Sequence, residues 1–319
     1  PHLPPNSPDA IPMHSPTHPS SIESTSKIDK DLKKVNSCKK VYVFADKSTN
    51  VYETSADNYE TLLMDNITKT YKTSRNDVTD DINEELRDIS TNLEIENRID
   101  IMAKRNAFIT VKDHKENFPS NLKCRLINPS KSELGKVSKT ILDRINNNVR
   151  SAISVNQWKN SLSVIDWFNN IENKAFKSFV TFDIVEFYPS ITENILDHAI
   201  TWAKSLTAIS DDDITVIKHA RKSLLFNGDT SWIKRGDKPM FDVAMGSFDG
   251  AEVCDLVGLF ILSKLENEFG ADNVGLYRDD GLALINSATG RDADIARKWL
   301  HVNQLELTSL VISYSSLTN

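Results

Sequence analysis

Apolar residues recur at two different spacings along this chain, and the change of spacing marks its elements. Alternating positions predict a strand at 41–45 and a hairpin of two strands, 108–112 and 124–128, joined by a polar loop at 113–122. Longer apolar runs predict buried strands that begin near Phe179 and Leu276. The chain is therefore expected to contain several short strands, some of them fully buried.

Helical spacing of apolar residues fills most of the remaining chain. It predicts helices at 58–72, from 79 into the nineties, and at 135–155, 161–172, 192–204, 253–269 and 291–300. Ser210 followed by three aspartates predicts a capped helix start, with the helix running to Leu225. Trp232 and residues 240–244 suggest a further hairpin. The order of elements predicts an α+β fold, an antiparallel sheet backed by helices.

Composition restricts the class of protein. The 319 residues are 39% hydrophobic and 26% charged, as in globular proteins, and no apolar run approaches the roughly 18 residues that cross a bilayer. The three cysteines show no metal-ligand or disulfide spacing, so an intracellular location, cytoplasm or nucleus, is expected. Residues 1–38 hold seven of the eleven prolines and are expected to be disordered.

The charge is unevenly distributed. The net charge is −7, but residues 102–150 carry eleven Lys or Arg against four acids, and residues 76–100 carry nine acids against two arginines. A solvated surface explains either stretch. A protein that binds nucleic acid, however, needs a basic channel rather than a basic average.

Two adjacent acids, Asp279 and Asp280, stand between two apolar runs and are followed by Gly281. This pattern predicts a β-hairpin with the acids at its turn. A solvated turn is the simpler explanation, and a pair of divalent cations is the functional one.

A third acid, Asp183, lies within the apolar run 179–191, where an unpaired charge is costly. A salt bridge would satisfy it, or it meets Asp279 across the sheet and shares metal ions. Tyr188 follows near the predicted end of that strand. Between these strings, residues 241–246 predict a strand that enters a turn containing Gly246 and Gly250 and then a long helix.

The order of the three strings resembles the reverse transcriptases (RNA-directed DNA polymerases) of retroelements. Gaps of 63 residues from Asp183 to Gly246 and of 33 from Gly246 to Asp279 suit that family, and residues 108–115 and 123–129 are similar to its fingers strands. The resemblance covers residues 100–290. It implies a right-hand polymerase with fingers at 101 onward and a palm, whereas residues 301–319 show no counterpart of a thumb.

The resemblance also implies the chemistry of a site. Asp183 and Asp279 would hold two Mg²⁺ ions, with Mn²⁺ as the alternative, and the carbonyl of Ile184 would be an extra ligand. Asp280 would support this geometry, or would act only as a turn former. Tyr188 would exclude a ribose 2′-hydroxyl, which favours DNA synthesis over RNA synthesis.

The remaining substrate contacts are implied in the same way. Lys112 and Arg125 would bind the triphosphate of a dNTP, and Lys115 and Lys123 the phosphates of an RNA or DNA template-primer. Met245 and Gly246 would border the nucleotide. Met245 departs from the family's usual Gln, and residues 250–251 from its usual Ser-Pro.

The predicted domains are a disordered segment at 1–38, a mostly helical extension at 39–100, and fingers and palm at 101–319. Two alternatives to an active reverse transcriptase remain at this point. One is a catalytically inactive or domesticated copy that binds nucleic acid, and the other, disfavoured by Tyr188, is a viral RNA-dependent RNA polymerase. No membrane contact is expected, and the oligomeric state stays open.

Overall fold

The structure, a computed structural model, describes residues 9–11, 40–74, 78–99, 104–129, 133–174, 177–286 and 312–317. The strands are β1 (Asp9–Ile11), β2 (Lys40–Phe44), β3 (Val51–Ser55), β4 (Tyr71–Thr73), β5 (Phe108–Val111), β6 (Cys124–Ile127), β7 (Asn156–Gln157), β8 (Lys177–Ile184), β9 (Leu225–Asn227), β10 (Thr230–Lys234), β11 (Val274–Tyr277), β12 (Asp280–Asn286) and β13 (Ile312–Leu317). The α-helices are α1 (Ala56–Thr70), α2 (Val78–Asn92), α3 (Glu133–Ala152), α4 (Ser161–Asn170), α5 (Phe187–Ser190), α6 (Glu193–Lys204), α7 (Asp211–His219) and α8 (Gly250–Phe269).

These elements form two compact units that divide the chain differently from the predicted domains. The first unit takes its described residues from 1–74, 105–129 and 225–235, and the second from 75–104, 130–224 and 236–319. The predicted extension at 39–100 is split between the units, because β4 pairs with β10 in the first unit whereas α2 belongs to the second.

The first unit is built from three small antiparallel groups of strands. They are β1–β3–β2, β4–β10–β9 and the predicted β5–β6 hairpin, in which Thr110 lies opposite Arg125. Helix α1 begins where the Ser55 side chain accepts a hydrogen bond from the amide of Asn58, and its buried Ile67 joins a core shared with Ile109.

The second unit contains a five-stranded sheet in the order β13–β8–β12–β11–β7. All neighbours are antiparallel except β11 and β7. Val180, Phe182 and Ile184 of β8 are buried in one core with apolar residues of α3, α6 and α8. Side chains alternate along a strand, so Phe179, Thr181 and Asp183 project from the opposite face. The predicted α+β fold with an antiparallel sheet backed by helices is confirmed.

Local capping explains where two of the helices start. The side chain of Thr192 accepts a hydrogen bond from the Ile195 amide at the start of α6. At the start of α7, Ser210 and Asp213 form a capping box, and Asp213 also accepts a 2.7 Å hydrogen bond from Arg144. The hydrogen bonds to Asp213 lower the pKa of its carboxyl although its burial opposes this.

Several predicted elements differ from the structure. Helix α7 ends at His219 rather than Leu225, because the apolar pair 224–225 is buried and Leu225 opens strand β9. Trp232 lies on β10 and pairs with β9, while residues 242–244 form no strand and Phe241 makes only an isolated bridge to Lys222.

Two other differences lie near the chain's ends. Within the segment 1–38, expected to be disordered, residues 9–11 form β1, and the remainder lies outside the described residues. Strand β13, which no sequence pattern indicated, pairs with β8. The predicted helix at 291–300 also lies outside the described residues.

Every helix within the described ranges is too short or too polar to cross a lipid bilayer.

Candidate active site at the end of the central sheet

The acids singled out in the sequence lie together at one end of the second unit's sheet. Strands β8 and β12 are in a register that places Asp280 directly opposite Asp183. On its other side, Asp183 lies opposite Ser313 of β13. Asp280, rather than Asp279, is therefore the direct cross-strand partner of Asp183.

Asp279 occupies the tight turn between β11 and β12. Tyr277 and Asp280 pair across the hairpin, which leaves Arg278 and Asp279 as its two turn residues. Arg278 has a positive φ of 54°, and the Asp279 carbonyl accepts a 2.9 Å hydrogen bond from the amide of Ile184. The predicted hairpin is present, and this hydrogen bond ties its turn to the end of β8.

Gly281 allows β8 and β12 to approach closely just beyond the acids. A Cβ atom at this position would lie 2.1 Å from the ring of Phe182, so only glycine fits. Because Gly281 and Phe182 share the helix-covered face, their neighbours Asp280 and Asp183 share the opposite face. This packing holds the two carboxylates on one surface.

The two facing carboxylates suit a cation site. Carboxylates directly opposite one another repel, and a cation bound between them would offset that repulsion. Asp279 and Asp280 are exposed and Asp183 is partly buried. Within the described part of the chain, no three His, Cys, Asp or Glu side chains are grouped as a metal site. A bound divalent ion would therefore need ligands beyond these side chains, such as the Ile184 carbonyl or substrate phosphates.

Tyr188 lies on the short helix α5 and not at the end of β8, because the strand stops at Ile184 and Glu186 adopts a left-handed φ of 49°. Its ring is partly buried against the core. Burial, and then the neighbouring Cys254, Asp255 and Asp279, raise the pKa of Tyr188 to about 12, while Arg278 opposes them. The Tyr188 hydroxyl therefore stays protonated at neutral pH.

Residues 241–249 lead into helix α8. Met245 is partly buried, and Gly246 is exposed with a φ of 107°, a value that favours glycine. A Cβ at Gly250 would lie 3.4 Å from the Tyr188 ring and 2.7 Å from the Ser247 hydroxyl. Helix α8 therefore begins at Gly250, three residues before the predicted start, against Tyr188.

The four basic candidates all lie on the β5–β6 hairpin of the first unit, whereas the acids belong to the second. Lys112 is partly buried, and its amide donates to the Lys123 carbonyl at 2.8 Å. Lys115 and Lys123 are exposed. Arg125 pairs with Asp46 at 2.8 Å, an ion pair that the sequence did not indicate.

The sequence analysis also missed a buried ion pair between Arg221 and Asp249 in the second unit. Both side chains are only 1% exposed. A charged residue beside the end of a helix normally suggests a solvated surface, so its burial left no sequence signal.

A cavity of about 440 Å³ lies on the side of Arg221 that adjoins α2 and α7. His219 on its wall is 3.6 Å from Glu85. Burial, together with Lys222, lowers the pKa of His219 to about 4, so its imidazole is neutral at neutral pH. Three lysines of this wall, Lys218, Lys222 and Lys238, are already paired with carboxylates.

The sheet with its acid-bearing hairpin, backed by helices, defines the palm of the right-hand polymerase fold. Telomerase from Candida tropicalis shares this fold with a TM-score of 0.60 and 12% sequence identity, over 94% of this chain and 58% of that one. Telomerase from Candida albicans, solved with the TWJ fragment of telomeric RNA, has a TM-score of 0.59 and 10% identity, over 94% of this chain and 55% of that one.

The chain thus spans little more than half the length of these telomerase chains. An RNA-dependent RNA polymerase of a human picobirnavirus aligns with a TM-score of 0.45 and 11% identity, over 97% of this chain and 70% of that one, which is too low to bear on the fold. No family model and no curated protein sequence matches this chain.

Proposed function

We propose that this chain is the fingers and palm of an RNA-directed DNA polymerase from a retroelement. The observation that carries the proposal is the register that sets Asp280 opposite Asp183, with Asp279 in the adjoining turn, on a palm shared with telomerases. The proposed reaction joins a primer 3′-hydroxyl to the α-phosphate of a dNTP along an RNA template, inside the cell.

The acids would act by binding and positioning. Asp183 and Asp279 would hold two Mg²⁺ ions, or Mn²⁺ in their place, with the Ile184 carbonyl as a further ligand. When bound, such ions lower the pKa of the attacking hydroxyl and neutralise the departing pyrophosphate. Asp280, directly opposite Asp183, would support this geometry or would itself be a ligand.

Other residues would select and orient the substrate. Lys112 and Arg125 would contact the triphosphate, and Lys115 and Lys123 the template-primer backbone. For Arg125 this role requires exchanging Asp46 for a phosphate, since the two are paired in the structure. Tyr188 would exclude the 2′-hydroxyl, and Met245 and Gly246 would border the base.

Primer extension tests the proposal directly. The full protein is incubated with an RNA template, a DNA primer, dNTPs and Mg²⁺, and Asp183→Asn is compared with Asp272→Asn, an exposed acid outside the site. We expect Asp183→Asn to lose at least roughly a hundredfold in rate, since it removes a metal ligand's charge. Near-normal extension by Asp183→Asn would contradict the proposal.

A second function is favoured by one observation. The guanidinium that would contact the triphosphate, that of Arg125, is held by Asp46, which suits a copy that binds nucleic acid without catalysis. The same experiment separates the two: Mg²⁺-dependent extension by the unsubstituted protein excludes the inactive copy. Binding of template-primer without extension under any nucleotide mixture supports it.

A further inference from the structure

The buried ion pair of Arg221 and Asp249 lies at the start of helix α8. Asp249 is the residue immediately before the helix, and Arg221 follows helix α7. Both side chains are 1% exposed, and an Arg221 Nη2 atom donates to the Asp249 carboxylate. Charges are rarely removed from water so completely without a specific role.

The pair is poorly satisfied for its burial. Arg221 Nε and Nη1 and the second carboxylate oxygen of Asp249 have no hydrogen-bond partner among the described residues. Two apolar side chains of similar volume would often be as stable as such a pair. Stability alone is therefore a weak reason for these two residues, and position is a stronger one.

Asp249 does not cap the helix that it precedes. Its side chain makes no hydrogen bond to the first-turn amides of α8, although aspartate is among the best capping residues. The carboxylate is directed to Arg221 instead. The pair thus fixes where α8 begins, at the cost of an N-terminal cap.

The residues on either side of Asp249 show what this position controls. Phe248 packs on Gly135 of α3, where a Cβ atom would make an ordinary 3.4 Å contact with its side chain, and Lys136 lies 5.2 Å from its ring centroid. Gly250 lies against the ring of Tyr188. Gly250, the residue after Asp249, therefore links the buried pair to the ring of Tyr188.

The contacts of α3 with the first turns of α8 set the rest of that helix. Lys139 pairs with Glu252 at 2.5 Å, and Arg150 pairs with Asp255 at 2.7 Å. Both pairs are partly exposed, so water can replace either partner. Among these three pairs that fasten the first turns of α8, Arg221–Asp249 is the one with no access to water.

We propose that Arg221 and Asp249 are a positioning pair that holds the start of α8 against Tyr188 and thereby sets the discrimination between deoxyribose and ribose. This role rests on the proposed polymerase function. It concerns two residues that touch neither substrate nor metal, acting through Gly250 and the Tyr188 ring.

The test replaces both charges at once. Single substitutions leave a buried charge without its partner and are expected to unfold the protein, whereas Arg221→Met with Asp249→Leu removes both charges and keeps the volume. The control is Lys204→Ala with Asp211→Ala, an ion pair of 3.2 Å on an exposed surface. Thermal unfolding first establishes that both double variants fold.

The informative readout is the ratio of kcat/KM for a dNTP to that for the matching ribonucleotide. We expect this ratio to fall at least fivefold in the Arg221→Met, Asp249→Leu variant and to stay unchanged in the control. A folded variant with the ratio of the original protein would overturn the proposal, because a merely structural pair would leave discrimination intact.

A second measurement does not depend on catalysis. Cys254, on the second turn of α8, is fully buried, so its labelling by a disulfide reagent reports opening at this turn. With Cys38→Ser and Cys124→Ser as background, we expect at least tenfold faster labelling in the folded double variant. If the original protein extends no primer, the proposed function fails while labelling still decides the positioning role: an unchanged rate overturns it.

Discussion

The face of the sheet that carries Asp183 has two ends of opposite character. At one end, two carboxylates lie opposite each other on β8 and β12. At the other end of the same strands, Leu284 is buried with Trp158 and Trp167, whose ring centroids are 5.0 Å apart. The pairing of β8 with β12 is therefore stabilised by apolar contacts at one end, whereas at the other end, at the candidate site, it brings two like charges together.

This contrast is a general way to separate structural from functional residues. The indole of Trp167 donates a 2.9 Å hydrogen bond to the Asp272 carbonyl, so this ring is both packed and satisfied, whereas the indole N–H of Trp158 has no hydrogen-bond partner among the described residues. The carboxylates at the acid end bury no apolar surface. Substitutions at the aromatic end should therefore change mainly the stability of the protein, and substitutions at the acid end should change mainly its activity.

The largest stability effect is expected at the aromatic end. Trp167→Ala should lower the free energy of unfolding by about 3–5 kcal/mol, because it leaves a cavity beside Trp158 and Leu284. Urea denaturation measures the loss. Trp167→Phe, which keeps a ring but loses the hydrogen bond, should cost clearly less. A loss below about 1 kcal/mol for Trp167→Ala would show that the aromatic end does not stabilise the fold as expected.

Between the two ends, Gly281→Ala should destabilise the protein by about 2 kcal/mol, because the new methyl group overlaps the Phe182 ring. Adding Phe182→Leu should recover part of the loss in urea denaturation. Gly135→Ala serves as the control, since a Cβ there makes an ordinary 3.4 Å contact with Phe248 and alanine favours a helix. Equal losses for both glycines would contradict the steric explanation.

At the acid end, Tyr188→Val should change substrate choice rather than stability alone. Removing the ring should raise ribonucleotide use relative to deoxyribonucleotide by about tenfold in kcat/KM, or about 1.4 kcal/mol. Tyr188→Phe keeps the ring and should leave the ratio unchanged. If the ratio is unchanged in an active Tyr188→Val variant, the ring is only a core residue and an RNA polymerase becomes the better hypothesis.

The smallest effect should be a gain. Without divalent cations, Asp280→Asn should raise the free energy of unfolding by about 0.5 kcal/mol, because it removes repulsion with Asp183 across the ladder. In a double-mutant cycle with Asp183→Asn the two gains should not add. Mg²⁺ should stabilise the original protein and not the double variant. Additive gains would show that the two carboxylates do not interact.

The parts of the fold that the sequence predicted are those with a strong local pattern. Strand β8 and the β11–β12 hairpin were predictable because long apolar runs flank a turn, and α6 because its apolar residues keep helical spacing above Thr192. The acids were found for the same reason, as charges inside apolar context. Asp183 was predicted to meet Asp279 across the sheet, but it lies opposite Asp280, because the register depends on the geometry of the turn and not on composition.

The missed features depend on contacts distant in sequence. Strand β13 alternates small polar residues with few apolar ones, so only its ladder with β8 makes it a strand. Leu225 resembled the end of a helix, but it is buried by the first unit's core. The Arg221–Asp249 pair needs both partners to be brought together, which no local pattern records.

Strand β13 has a consequence for how the site is assembled during synthesis. It pairs with β8 on the side away from β12. The strand that carries Asp183 therefore has a neighbour on both sides only once residues 312–317 have paired with it. Until the ribosome has released them, β8 presents a row of unpaired amides and carbonyls beside its acid. A nascent chain at that stage is open to pairing with another copy, which makes this edge the expected starting point for aggregation of shortened products.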